Sequence, residues 1–269
     1  MGATASKPDP NVSLKVIGVG MSRTGTTSFG AALQHLLHGP VYHGGTQLLR
    51  SPESHIKQWI EVCRHTPCKS RTDRAFVMDN VEEMLSGFVG CTDLPALAYV
   101  EELMEIFPDA KVICTVRDPD KWWTSMEPMV KKGNLTLLSW IFAPLRTLRC
   151  FREFHDVMDD GRFGEIYFRP GEEKKPSRKT YDRHIEHLKA VVPKDKLFFF
   201  DVRDGWEPLC RILDVPVPKG VEFPKLNDAQ AIEVFMKESI RRGLMAWAGI
   251  GLTAAAATWV ALKVVRVMQ

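Results

Sequence analysis

Between Gly20 and Thr27 the chain reads Gly-Met-Ser-Arg-Thr-Gly-Thr-Thr, a run of small and hydroxyl residues around one cation, Arg23. Before it, Lys15–Gly20 is apolar enough to predict a buried strand, and after it an amphipathic helix runs to about Leu37. A strand that turns through a tight loop into a helix aims several backbone N–H groups at one point. The helix dipole adds positive character there, so the point suits a phosphate or sulfate group. The loop nearly fits the nucleotide-binding pattern G-x-x-x-x-G-K-[ST], but Thr26 stands where the phosphate-bridging lysine belongs. It also fails the dinucleotide pattern G-x-G-x-x-G, because Gly18 and Gly20 are followed by glycine only at Gly25. A glycine-rich turn between core elements is the plain alternative.

A second group of chemical residues is Arg117-Asp118-Pro119-Asp120-Lys121-Trp122-Trp123-Thr124-Ser125. Lys111–Val116 is β-branched and continuous, as a strand buried on both faces should be. Arg117 then ends the strand, Asp118 caps the next helix, and Pro119 fits its first turn. An arginine at a strand end and a serine two turns into the adjacent helix can hold a dianionic phosphate together. Standing alone, Arg117 reads equally well as a surface ion-pair residue, and Trp122 and Trp123 read as packing residues.

The elements that must position these groups alternate along the chain. Strand-like segments at 40–43 and 197–202 join the two already named. Helical periodicity appears at 52–63, 77–88, 97–107, 120–129, 135–142, 180–192 and 206–213. Strands separated by helices predict an α/β domain with a mainly parallel sheet flanked by helices. The stretch 162–178, charged and broken by Pro and Gly, reads as a mobile surface loop or lid.

With these elements in place, the chain resembles the sulfotransferase-like P-loop family common in fungi. The resemblance rests on Arg23-Thr24-Gly25-Thr26-Thr27, close to the 5′-phosphosulfate loop [KR]-[ST]-G-[TS]-[TS]. It rests equally on R-D-P-x-x-W-x-x-S at Arg117–Ser125, close to the 3′-phosphate site. Tyr42-His43, Thr92-Asp93-Leu94-Pro95, Phe107–Lys111, Asp204–Cys210 and Phe223–Asp228 add to it, so the likeness covers about residues 14–228. It implies a three-layer P-loop fold. It also implies 3′-phosphoadenosine 5′-phosphosulfate (PAPS) as co-substrate, held by Ser22, Arg23, Thr24, Gly25, Thr26, Thr27, Arg117 and Ser125, with no metal.

Two family features are missing: the C-terminal R-K-G-x-x-G clasp and an evident K-T-H histidine motif. The implied chemistry is sulfuryl transfer to a hydroxyl or amine of a small, lipophilic acceptor. Arg23 would stabilise the leaving charge, and His43 or Asp93 would take the acceptor proton. A hydrogen-bonded structural histidine and a helix-capping aspartate are the alternatives at those two positions, and His184 and His187 are weaker candidates. A non-catalytic P-loop scaffold at a membrane stays open. So does an NTPase or nucleotide kinase, because the strand-like segment Leu197–Phe200 is followed by Asp201.

The last signal is at the C-terminus. Residues 243–262 carry no charge, with Arg241 and Arg242 before them and Lys263 and Arg266 after. Twenty helical residues span about 30 Å, the hydrocarbon thickness of a bilayer, and Trp247 and Trp259 sit near the ends as interfacial aromatics do. The expected organisation is a flexible tail over 1–13, a catalytic domain over 14–228 and a linker helix over 229–243. A transmembrane helix over 244–262 and a short tail over 263–269 would follow, leaving the domain facing the cytosol. A buried or in-plane C-terminal helix is the alternative. Gly2 with Ser6 matches the N-myristoylation pattern M-G-x-x-x-[ST]. The chain has 269 residues, 45% hydrophobic and 26% charged, as in an ordinary globular protein, and its net charge of +3 is too small to imply nucleic acid. Six cysteines without zinc spacing read as buried thiols in a reducing compartment.

Overall fold

The computed structural model describes residues 4–132, 135–226 and 228–268. In chain order the elements begin β1 (Val16–Gly18), α1 (Thr26–Leu37), β2 (Val41–His43), α2 (Gly44–Arg50), α3 (Glu53–Arg64), α4 (Arg71–Leu85) and β3 (Gly90–Thr92). They continue with α5 (Val100–Ile106), β4 (Lys111–Thr115), α6 (Pro119–Lys132), α7 (Leu135–Phe142), α8 (Phe151–Asp160) and α9 (Arg162–Tyr167). The last four are α10 (Arg178–Val191), β5 (Leu197–Phe200), α11 (Trp206–Leu213) and α12 (Asp228–Met268).

The five strands form one sheet in the order β2-β3-β1-β4-β5, and every neighbouring pair is parallel. Period-two alternation sends successive side chains to opposite faces. Ile17, Val112 and Cys114 pack into the larger core with α3, α4, α5, α8 and α9. Val16 and Ile113 pack with α1 and α11 into the smaller one. Helices therefore cover both faces, as a parallel sheet requires. The chain leaves β1 toward β2 and β3, and then crosses to β4 on the other side. The β1/β4 boundary is thus a topological switch point, and the crevice beyond the strands' C-terminal ends is where such sheets bind ligands.

The irregular stretch expected over 162–178 is shorter. Residues 162–167 form α9, with Phe163, Ile166 and Tyr167 buried, and only 168–177 lack regular structure before α10. The apolar spacing of Phe163, Ile166 and Tyr167 outweighs the Pro and Gly that follow. The described part of the N-terminal segment lies against the domain: Gln47 Nε2 donates to Ser6 O at 2.8 Å, and Asp9 N donates to Gly87 O at 2.8 Å. Gly2, the acceptor position of the myristoylation pattern, lies outside the described residues. All six cysteines are free thiols, five of them buried.

Linker and apolar stretch form a single helix, α12, 41 residues or about 60 Å long. Its first half rests on the domain, with the Arg50 guanidinium 5.0 Å over the Phe235 ring. Beyond that it projects away, and Leu252, Trp259, Val260 and Leu262 are exposed. By length and composition it is able to cross a membrane.

One buried group ties α10 to the root of β1. His184 is 1% exposed; its Nε2 donates to Val19 O at 2.6 Å and its Nδ1 accepts from Tyr167 Oη at 2.8 Å. Burial holds this imidazole neutral, lowering its pKa from 6.5 to about 4. Between those values the unfolded chain binds a proton that the folded chain refuses, so stability falls as pH drops from about 6.5 to about 4. The loss expected from this group is on the order of 3 kcal/mol. Denaturant melts at pH 7.5 and pH 4.5 should show His184→Gln less stable at the upper pH and markedly less pH-sensitive. An unchanged pH slope would remove His184 as its source.

Candidate sulfuryl-transfer site

Apart from Ser125, which is carried by α6, each candidate residue lies at or just past the C-terminal end of a strand. His43 ends β2, Asp93 follows β3, residues 20–27 follow β1, and Arg117 lies two residues past β4. The strand order therefore brings together groups from Gly20 to Arg117, 97 residues apart in sequence.

The loop after β1 is tightly built. Thr24 Oγ1 donates to Met21 O at 2.7 Å and lies 2.6 Å from Thr115 Oγ1 at the end of β4. A Cβ on Gly20 would overlap that same Thr115 hydroxyl, so only glycine lets the loop leave the sheet here. Gly25 has φ +93° and is the N-cap of α1; it brings no capping side chain and α1 has no acid in its first turn. The first-turn amides of α1 are thus left to an external acceptor. Arg23 is held at φ +75°, a costly conformation for a residue with a Cβ, of the kind concentrated at functional sites.

The loop at 20–27 and the Arg117–Ser125 segment touch. Arg23 Nε donates to Ser125 Oγ at 3.1 Å, and Arg117 Nη1 donates to Arg23 O at 3.2 Å. Arg23 Nη1 is buried without a hydrogen-bond partner. An orphaned guanidinium N–H carries a large desolvation cost unless an acceptor arrives, and an anionic oxygen is the acceptor that matches its charge. Asp118 caps α6 as its sequence predicts, accepting from Lys121 N at 2.9 Å. Trp122, fully buried, packs against Met21 and Tyr181 and donates Nε1 to Ser22 O at 2.9 Å. Tyr181 is a residue the sequence did not single out. Its hydroxyl accepts from Arg117 N at 3.1 Å and donates to Arg117 O at 2.8 Å, which fixes where the arginine leaves the strand. Its spacing from His184 and Leu188 on the buried face of α10 was the available signal.

On the other side of the loop, Asp93 is 7% exposed at φ +70° and accepts from Ser22 Oγ. His43 Nε2 lies 2.9 Å from Thr27 Oγ1, 3.3 Å from Thr26 Oγ1 and 3.8 Å from Asp93 Oδ2. Its Nδ1 caps α2, accepting from Thr46 N at 3.4 Å. A ring that accepts at Nδ1 carries its proton at Nε2 when neutral, so His43 faces the loop hydroxyls and Asp93 as a donor. The carboxylate is the acceptor of the pair. Of the weaker histidines, His184 is structural. His187 lines a cleft of about 420 Å³ on the other side of α10, where Arg162 is paired to Glu101 and Arg183 contacts the chain near Tyr167. Asp201, past β5, is engaged by Arg203 and caps the turn that follows. Among the described residues no group of three or more His, Cys, Asp or Glu side chains is arranged to hold a metal.

Residues 15–232 match the sulfotransferase domain family. The chain belongs to that family. The chain is 30% identical over 224 residues to the Ava biosynthesis cluster protein M of Aspergillus versicolor, covering 79% of this chain and 80% of the relative. A crystal structure of a sulfotransferase from Mycobacterium avium aligns with 77% of this chain at 15% identity and a TM-score of 0.34. The chain spans 65% of that protein's length.

Proposed function

We propose that this protein transfers a sulfuryl group from PAPS to a hydroxyl or amine of a small, lipophilic acceptor, and that α12 anchors it in a membrane with the domain facing the cytosol. The observation that carries the reading is the contact between the two phosphate elements, with Arg23 Nη1 buried and unpartnered between them. When bound, PAPS supplies the sulfuryl group: an acceptor oxygen or nitrogen bonds to sulfur as the bond from sulfur to the 5′-phosphate oxygen breaks.

The residues act around that displacement. Arg23 and the amides of residues 24–27 stabilise the charge that grows on the 5′-phosphate. Arg117 and Ser125 hold the 3′-phosphate and fix the position of the donor. Asp93 takes the proton of the acceptor. His43 holds the carboxylate and the loop threonines in register from its Nε2 side. Ser22 orients the same carboxylate, and Thr26 and Thr27 complete the phosphate cradle. The domain boundaries at 14 and 228 and the anchor over 244–262 belong to this reading; the apolar length of α12 and its basic flanks support the anchor.

Calorimetric titration of the full chain in detergent, with 3′-phosphoadenosine 5′-phosphate and with ATP plus magnesium, tests the donor site. Micromolar binding of the bisphosphate alone is the expected result. Binding of ATP alone would move the protein to the nucleotide-hydrolysing class. Binding of neither would leave a non-catalytic scaffold with this fold.

A further inference from the structure

Helix α7, Leu-Thr-Leu-Leu-Ser-Trp-Ile-Phe, has no charged side chain, yet it turns large apolar groups outward. Leu137 is 59% exposed and Trp140 is 68% exposed. Met129, at the end of α6, is also exposed beside them in sequence. Water-facing tryptophan and leucine on a short helix need a reason in a structure that buries Trp59 and Trp122 completely.

The position of α7 supplies one. It packs on α12 where the uncharged stretch begins. Gly243 lies so close to Ile141 that a Cβ would overlap the Ile141 carbonyl, and Trp247 Nε1 donates to Trp140 O at 2.8 Å. The two helices are therefore fixed to one another at residues 243–247. With α12 running into a bilayer from this point, α7 sits at the level where lipid headgroups meet acyl chains. Tryptophan is the side chain most at home there.

Charge agrees with packing. Residues 128–152 contain Lys131, Lys132, Arg146, Arg149 and Arg152 and no Asp or Glu. Residues 239–269 contain Arg241, Arg242, Lys263 and Arg266 and likewise no acid. Some of this charge is matched from outside: Arg149 pairs with Glu53 at 2.8 Å and Lys131 with Glu127 at 2.8 Å. Arg146 is exposed six residues past Trp140, and Arg241 and Arg242 are exposed immediately before Gly243 in sequence. An apolar face flanked in sequence by cations and packed on a helix of membrane-spanning length complements an anionic lipid surface.

We infer that the outer face of α7, led by Leu137 and Trp140, is a second membrane contact that seats in the headgroup region of an anionic bilayer beside α12. This rests on the reading of α12 as a membrane span. The seat would bear on the tilt of the domain, because α6, which carries Ser125, precedes α7 in the chain.

The test uses the full chain in vesicles of phosphatidylcholine with and without phosphatidylserine. A polarity-sensitive dye is placed on Leu137→Cys in a Cys68→Ser background, and lipids carry spin-label quenchers at shallow acyl depth. A second label on Glu207→Cys, exposed on α11 beside the opposite sheet edge, is the control. The expected result is strong quenching at 137 and none at 207. Removing phosphatidylserine, or changing Arg146, Arg241 and Arg242 together to Glu, should reduce the quenching several-fold. Trp140→Glu should reduce it as well, while binding of 3′-phosphoadenosine 5′-phosphate stays unchanged and so reports an intact fold. A chain that resists alkaline extraction while the dye at 137 stays unquenched would overturn the α7 contact and keep the anchor. A chain that alkali releases, with the dye unquenched, would overturn both. Energy transfer between labelled copies in place of lipid quenching would show that α7 meets a second chain, and would overturn the proposal too.

Discussion

Asp93→Asn should lower sulfuryl-transfer turnover by about 10²- to 10⁴-fold, the usual contribution of a positioned general base. The variant keeps nearly everything except the proton-accepting oxygen. The amide oxygen of asparagine can still accept from Ser22 Oγ. Asparagine also tolerates the left-handed backbone at this position, where φ is +70°, better than other residues that carry a Cβ. Binding of 3′-phosphoadenosine 5′-phosphate should therefore stay within about twofold, and thermal stability within about 1 kcal/mol. His43→Ala should cost less than Asp93→Asn, because the ring faces the carboxylate from its protonated side. Initial rates at saturating donor, with calorimetry on the same preparations, separate the two outcomes. Full turnover in Asp93→Asn would remove it as the base and return that role to another group.

Arg117→Ala should weaken bisphosphate binding by about 100-fold and raise the KM for PAPS to match, with kcat changed far less. In the proposed site the guanidinium holds the 3′-phosphate, away from the breaking bond, so its contribution is carried equally in ground and transition states. A charged hydrogen-bonding group removed from an anion costs about 1.5–3 kcal/mol, which is the factor expected. Tyr181→Phe should reproduce a fraction of the effect, since its hydroxyl fixes the Arg117 backbone from both sides. Unaltered bisphosphate affinity in Arg117→Ala would show that the pattern at 117–125 is only structural.

The residues of these two variants differ in how much of their role the local sequence carries. The loop at 20–27 and the Arg117–Ser125 segment announce themselves because each is local. A turn needs glycine where a Cβ would collide, as Gly20 does with Thr115, and a capped helix start places Ser125 at a fixed offset from Arg117. The apolar run at 243–262 is local in the same way, set by residue count and hydropathy alone. Asp93 and Tyr181 stand in no such local pattern.

Their importance follows from the strand order. Nothing within three residues of Asp93 specifies that β3 pairs with β1, or that α10 lies under the end of β4; burial of apolar faces far apart in the chain decides both. The same holds for α7. Its composition was plain in the sequence, but its seat on Gly243 and Trp247 was not. The sequence by itself determined the glycine-bearing loop at 20–27, the capped helix start at 117–125 and the membrane-length helix, because short-range sterics and hydrogen bonding fix them. The tertiary structure alone decided which carboxylate faces the loop at 20–27 and which apolar helix packs on α12, because those depend on long-range packing that no local pattern records.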